Sequence, residues 1–547
     1  MKKSLLLAVA VILCADIQAQ FPWMGGFGGG MPQGGFGGVM PGFGGGMPQD
    51  GFGGGMPQGG FGGFGGFGND VSFQTSQVGT HVDFESSNLP IIVITTESGV
   101  IVKSSKSTAR MKVIAGGKRN KLTDKASDYD GYIGIKLRGE SSLSFEQKGF
   151  AIELKNDEGK SLDMPLLNMP ANDDWALIAA YNDISMMRNP IAYDLWTGMG
   201  HWGPRNRMVE VVIDGEYRGV YMLVETIKSS NGRLSIGSPK NDEGNGITGG
   251  YVLRIDAADA DDMTFTSKVP GISKSGFGGM GGFGGFGGFG GQPVVWTIRS
   301  PKKDKITDAQ RIYIENYVHE TEAAIQGPDF ADPVKGYANY IAVSSFVDYL
   351  IHTEVSLNAD GMKRSTYFFK KREKADGSGG KLHAGSVWDY NLAFGNSNFN
   401  NTGDITTWIH EGGETLPTTF IFKRLMEDPA FVQKVKERYT ELRKTVLSLD
   451  SIYAYIDSKA ALLEEAQKRQ YTKYSDLLVP EGQSTVDVET GLLKSNGSFG
   501  GGMMGFGGGM MAMFSGYRVS SYAEEIHALK SWFKSRLAFL DSQWLMR

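Results

Sequence analysis

Asn358-Ala359-Asp360-Gly361-Met362-Lys363-Arg364-Ser365-Thr366-Tyr367-Phe368-Phe369 and Lys381-Leu382-His383-Ala384-Gly385-Ser386-Val387-Trp388-Asp389-Tyr390-Asn391-Leu392-Ala393-Phe394-Gly395-Asn396 are the most informative stretches of the chain. Each contains a strand-like run, Thr366 to Lys370 and Leu382 to Trp388, with an acid at its edge. Asp360 precedes the first run and Asp389 ends the second. If the runs pair as a hairpin, both acids face one cleft. Carboxylate and amide oxygens gathered there suit a hard cation such as Mg2+, which keeps several waters and takes only one or two protein carboxylates.

Upstream of these stretches the signal is β, in Ile91 to Ile94, Tyr132 to Leu137, Phe150 to Leu154, Met208 to Ile213 and Gly219 to Val224. Asp214-Gly215 between the last two is a strong hairpin turn. One helix interrupts this part near Met186 to Met199, with Pro190 near its start or kinking it. From Thr307 the period becomes helical, over Ala309 to Ile325, Tyr337 to Leu350, Leu416 to Leu425, Ala430 to Leu447, Asp450 to Gln470 and Ser521 to Leu545. A β-rich part followed by a helix-rich part is an α+β arrangement.

More than half of the 78 glycines among 547 residues fall in three tracts, Gly25 to Gly68, Gly276 to Gly291 and Gly497 to Gly516. The remainder has an ordinary globular composition and is long enough for a sizeable core. The first tract repeats Gly-Phe-Gly-Gly and Gly-Gly-Met-Pro-Gln units, too poor in bulky groups to offset the entropy of ordering glycine, and reads as a flexible arm whose Phe and Met residues are potential stickers. The other two read as expanded surface loops, the second tract joining neighbouring strands. With 55 Lys and Arg against 60 Asp and Glu, the net charge of −5 gives none of the global field expected of a nucleic-acid or anionic-membrane binder.

Met1-Lys2-Lys3, the apolar run Leu5 to Cys14 and Ile17-Gln18-Ala19-Gln20 describe a signal peptide cut after Ala19. The expected organisation is a leader over 1–19, a Gly/Phe/Met-rich arm over 20–69 and a folded domain over 70–547, with low-complexity inserts at about 271–293 and 497–516. The expected location is the cell envelope or the medium. Cys14, the single cysteine, lies in the leader, so the mature chain carries no disulfide and no cysteine nucleophile. No later stretch is apolar enough to span a bilayer, and the seven histidines show no pair at helical metal-ligand spacing.

Arg138-Gly139-Glu140-Ser141-Ser142 followed by Lys148, Asn182-Asp183-Ile184-Ser185-Met186-Met187-Arg188-Asn189, Asp214 to Tyr221, Gly249-Gly250-Tyr251 and Trp388 to Gly395 together resemble, in content and order, the spore-coat CotH kinase family. The resemblance covers roughly Leu89 to Leu425. It implies an atypical secreted kinase with a protein-kinase-like fold, binding ATP and a divalent metal (Mg2+) and phosphorylating Ser or Thr of a protein, this chain included. It makes Asp389 the metal-binding acid, Asn391 a second metal or water ligand, and Asp360 the acid that accepts the hydroxyl proton. Lys148 becomes the phosphate-binding cation, with Arg138 after it. Glu225, ending a strand, is read either as the partner of a lysine in the nucleotide cleft or as an exposed strand-end charge. The chain departs from ordinary kinases in having no Gly-x-Gly-x-x-Gly loop, no His-Arg-Asp triplet, and Ser365 instead of Asn five residues after Asp360. The alternative is a kinase-like fold kept as a surface structural or adhesive module, its sticky tracts carrying the function.

Overall fold

The computed structural model describes residues 71–76, 79–258, 262–271, 293–413, 418–494 and 517–546. The expected leader, the arm and the three glycine tracts lie outside them. Among the strands of the two large sheets, β1 (Ile91–Thr96), β2 (Ser107–Ile114), β3 (Tyr129–Arg138), β4 (Gly149–Lys155), β5 (Asp174–Ala179), β6 (Asn206–Ile213) and β7 (Glu216–Glu225) close into a barrel. Its order is β5-β7-β6-β1-β2-β3-β4, antiparallel throughout except between β1 and β6.

Strand side chains alternate between two faces, and here both faces are buried. Val209, Val211, Ile213, Tyr221 and Leu223 fill the barrel, whereas Met208, Val220, Met222 and Val224 face a second core built with the helices. Strands covered on both sides read as continuous apolar runs, as Met208 to Ile213 does. Asp214 and Gly215 in the β6–β7 turn have φ of 50° and 83°, the two left-handed residues that this tight hairpin requires.

A second sheet combines β8 (Tyr251–Ile255), β9 (Met263–Pro270), β10 (Pro293–Ser300), β11 (Thr366–Lys370) and β12 (Leu382–Ala384) in the order β9-β10-β8-β11-β12. β9 and β10 pair with Pro270 opposite Pro293, so residues 271–292 join neighbouring strands. β11 and β12 form the anticipated hairpin, Phe368 opposite Ala384. The second strand nonetheless stops at Ala384 instead of reaching Trp388. Gly385 leaves the ladder with φ of 108°, and a Cβ there would stand 2.5 Å from the Trp196 ring. Strands β2, β5 and β9 go beyond the runs read from the sequence; β9 alternates buried Phe265, Ser267 and Val269 with exposed polar residues, a weaker apolar signal.

The helices are α1 (Arg188–Gly198), α2 (Asp308–Gln326), α3 (Val343–Ser356), α4 (Phe420–Leu425), α5 (Pro429–Arg443), α6 (Leu449–Lys473) and α7 (Tyr522–Trp544). Pro190 occupies the first turn of α1, where a missing N–H costs nothing. The helix expected over Tyr337 to Leu350 is split: one 3-10 turn at Tyr337–Asn339 precedes α3, which runs on to Ser356. Every residue of α3 from Ser345 to Ser356 is buried, and its charged groups are matched by neighbours. Asp348 pairs with His201 at 2.7 Å and Arg438 at 2.8 Å, and Glu354 pairs with His410 at 2.8 Å and Arg536 at 3.2 Å. None of the helices among the described residues is long and apolar enough to cross a membrane.

Arg188, at the start of α1, is fully buried and ties together three remote segments. Its guanidinium donates to Asp183 Oδ1 at 2.7 Å, to Glu525 Oε1 of α7 at 2.6 Å and to the Ala393 carbonyl at 3.2 Å. Asp183 also accepts the Arg188 N–H at 2.8 Å, closing the first turn of α1. Removing one member of such a cluster strands the buried charges that remain, so Arg188→Met is expected to cost about 3–5 kcal/mol. Chemical denaturation measures this; a loss below about 1 kcal/mol would show that the cluster does not hold these segments together.

Candidate active site

The register of the second sheet decides where the acids meet. The start of β11, the end of β12 and the end of β8 lie at one end of the sheet, with Thr366 opposite Ile255 and Phe368 opposite Ala384. Asp360 precedes β11, Asp389 follows β12 and Asp256 follows β8, so three acids leave the sheet at that end. The barrel adds Arg138, the last residue of β3, whose guanidinium lies 4.5 Å from the centre of the Trp388 ring.

The Asp389 carboxyl is pushed up to about 7, first by withdrawal from solvent and then by Asp360, with a further push from Asp256; Arg138 and a hydrogen bond from Ser365 pull the other way. Withdrawal from solvent also raises Asp360, against the pull of Arg364 and Lys363. Like charges crowded together disfavour one another's ionisation, and a cation entering among them relieves both. Arg138 is half-buried, and burial lowers its pKa. Among the described residues it has no hydrogen-bond or ion-pair partner. Arg254 is different, being paired with Asp256 at 3.5 Å and Asp262 at 3.2 Å.

The loop carrying Asp389 is fixed by α1 and α3. Asp389 has a φ of 65°, a left-handed conformation that a non-glycine residue keeps only when its surroundings enforce it. Its N–H donates to Tyr193 Oη at 3.3 Å, the next N–H donates to Asn189 Oδ1 at 2.6 Å, and Asn358 Nδ2 donates to the Asp389 carbonyl at 3.5 Å. His352, kept neutral because burial lowers its pKa to about 4, joins the Ala192 carbonyl at 2.8 Å to the Tyr390 hydroxyl at 3.1 Å. The motif Arg188-Asn189 through Tyr193 is therefore the scaffold of the Asp389 loop.

The structure brings Asp360, Asp389 and Arg138 together; the other expected residues stand elsewhere. Lys148 donates to the carbonyls of Leu143, at 2.7 Å, and Phe145, capping the short turn before β4. Glu225 is neither exposed nor paired with a lysine. It is fully buried, and its carboxylate is held by Arg205 at 2.8 Å with Arg233 at 3.7 Å. Asn391 instead lines a narrow pocket between β5, β6, β7 and α1, with Ile178, Met186, Met208, Met222 and Asn189, which has room for little more than one water. Sequence reasoning missed Asp256 and Lys363. The first ends a recognisable strand run, and the second stands three residues after Asp360, a spacing that is informative only once Asp360 is placed.

Among the described residues no group of three or more His, Cys, Asp or Glu side chains is arranged to hold a metal ion. Two carboxylates whose pKa values burial raises, Asp389 being pushed further by Asp360, beside an unpaired guanidinium instead fit a cation that arrives with phosphate oxygens of its own, the usual way Mg2+ is bound in phosphoryl-transfer sites.

A comparison with curated proteins finds no match. The family described as CotH kinase protein matches residues 135–540, from within β3 to within α7, and so spans Arg138, both acids, the pocket and the Arg188 cluster. The chain belongs to the CotH kinase family.

Proposed function

We propose that this protein is a secreted kinase that transfers the terminal phosphoryl group of ATP, with Mg2+, to Ser or Thr hydroxyls of a protein, its own chain included, on an atypical kinase-like arrangement. The observation that carries the reading is the convergence of Asp360 and Asp389 at one sheet end, with Asp389 pushed up to about 7 and an unpaired Arg138 alongside. Asp389 is the metal-binding acid, and the metal ion, when bound, neutralises and orients the phosphates. Asp360 accepts the proton of the attacking hydroxyl. Arg138, stacked on Trp388, takes the phosphate-binding part assigned from the sequence to Lys148, since a planar guanidinium pairs well with phosphate oxygens. Phosphoryl transfer needs little more from a protein than this positioning and charge neutralisation. The signal-like N-terminus supports action outside the cytoplasm, and the Gly/Phe/Met tracts are suited to contact with the envelope or with other copies of the chain.

Mg-ATP at millimolar concentration should raise the Tm of the purified protein, because a ligand bound to the folded state stabilises it. Labelled phosphate should pass to protein Ser or Thr, and Asp389→Asn should remove at least 100-fold of that transfer without lowering the Tm of the ligand-free protein. A wild-type protein with neither shift nor transfer would favour the structural or adhesive alternative.

The ligand-free protein should also show the titration of Asp389. With the carboxyl raised from its usual 3.8 to about 7, the folded state holds a proton that the unfolded chain has already lost. That stabilisation is complete below about pH 4 and disappears as pH rises through 7. Melting curves across pH 5–8 should therefore fall more steeply for wild type than for Asp389→Asn, and parallel curves would contradict the raised carboxyl.

A further inference from the structure

Lys363 lies on the turn between Asp360 and β11 and is 8% exposed, yet its ammonium has no hydrogen-bond or ion-pair partner among the described residues. The stem of the side chain is buried while the ammonium keeps contact with solvent, so a charged group is fixed by its packing and still open to a ligand. Two acids act on it electrostatically, Asp360 more strongly than Glu354. Glu354 is already occupied, accepting from the N–H groups of Ile409 at 3.1 Å and His410 at 2.9 Å and from the side chains of His410 and Arg536. The Asp360 carboxylate, by contrast, accepts no side-chain hydrogen bond among the described residues.

The turn holding these two unpaired charges is rigid. The N–H groups of Lys363 and Arg364 donate to the Asp360 carbonyl at 3.3 and 2.9 Å. Met362 has a φ of 63°, and its carbonyl accepts the Thr419 N–H at 3.0 Å. A Cβ on Gly361 would stand 2.5 Å from the Thr353 side chain. Asp360 feels Arg364 more strongly than Lys363, yet neither Asp360 nor Lys363 makes a side-chain hydrogen bond to a neighbour among the described residues, so both stay available to a third group. A hydroxyl being phosphorylated is such a group, since it gives its proton to an acid while its oxygen meets a phosphoryl group carrying negative charge.

We propose that Lys363 is a further catalytic residue of this site, its ammonium binding the oxygens of the phosphoryl group as that group passes to the acceptor hydroxyl beside Asp360. The assignment rests on the kinase reading above. In the step, the acceptor oxygen forms a bond to the terminal phosphorus while the bond from phosphorus to the β,γ-bridging oxygen breaks. The bonding pair leaves with ADP, the hydroxyl proton goes to Asp360, and Lys363 keeps its proton throughout. Developing charge at the reacting oxygens is where a fixed cation in a water-poor site contributes most.

The test compares wild type, Lys363→Met and Lys363→Arg. Since the ammonium has no protein partner, the Met variant should keep or raise the wild-type Tm and keep the Mg-ATP thermal shift. Its kcat for transfer should fall at least 100-fold with KM for ATP little changed, and Arg should recover part of the loss. In the unsubstituted protein, Mg2+ with the β,γ-imido analogue of ATP should slow acetylation of Lys363 by an N-hydroxysuccinimide ester, read by peptide mass spectrometry. Transfer by Lys363→Met within threefold of wild type overturns the proposal, as does equal acetylation with and without nucleotide. A wild type that neither binds nor uses Mg-ATP brings down the kinase reading itself; one that does both with Lys363 unprotected brings down only the role of Lys363.

Discussion

The arrangement depends on one buried guanidinium. Arg188 stands between Asp183, Glu525 and the Ala393 carbonyl, so it joins the connection between β5 and α1, the loop of Asp389 and the last helix. Its neighbours in sequence extend the effect, because Asn189 and Tyr193 hold the main chain at Tyr390 and Asp389. Asn396 tightens the same junction, donating to the carbonyls of Asn182 and Asn391 at 2.6 and 2.7 Å. A charge cluster of this kind is a weak source of net stability compared with apolar packing, but it is strongly directional. Its value here is that it permits one placement of the Asp389 loop.

That placement is strained in the way functional loops often are. Asp389 and Ser365 both have left-handed main chains, at φ of 65° and 46°, and three carboxylates share one end of a sheet. Each feature costs free energy, which the packed core around α3 offsets. The charges of α3, Asp348 and Glu354, are matched by ion pairs, while Arg138 and Lys363 have no side-chain hydrogen-bond or ion-pair partner among the described residues. Charges that a protein leaves unanswered in a half-buried position are the ones available to a ligand.

The β11–β12 hairpin could be read because Thr366 to Lys370 and Leu382 to Ala384 are short runs of strand formers, and the two acids lie at their ends. Pairing alone then brings Asp360 and Asp389 to the same side. The helices from α2 onward follow their apolar spacing to within a few residues, apart from α3. That helix is buried all round, its polar residues finding partners inside the core, so exposure does not mark its ends. Arg138 and Lys148 could not be ranked from sequence: both flank strands and both are cations, and only the partner that each finds separates them. Lys148 meets main-chain carbonyls, whereas Arg138 meets an aromatic face beside an acid.

By itself the chain of residues determined the succession of strands and helices, the family to which their motifs belong, and the two acids at the ends of the hairpin strands, because these follow from local spacing and from groups close along the chain. The tertiary structure alone decided which cation stands beside those acids, that Asp256 joins them from a strand more than a hundred residues away, and that Glu225 is held by arginines. Those outcomes depend on strand register and on which charges find partners during packing, and neither is encoded within any single window of sequence.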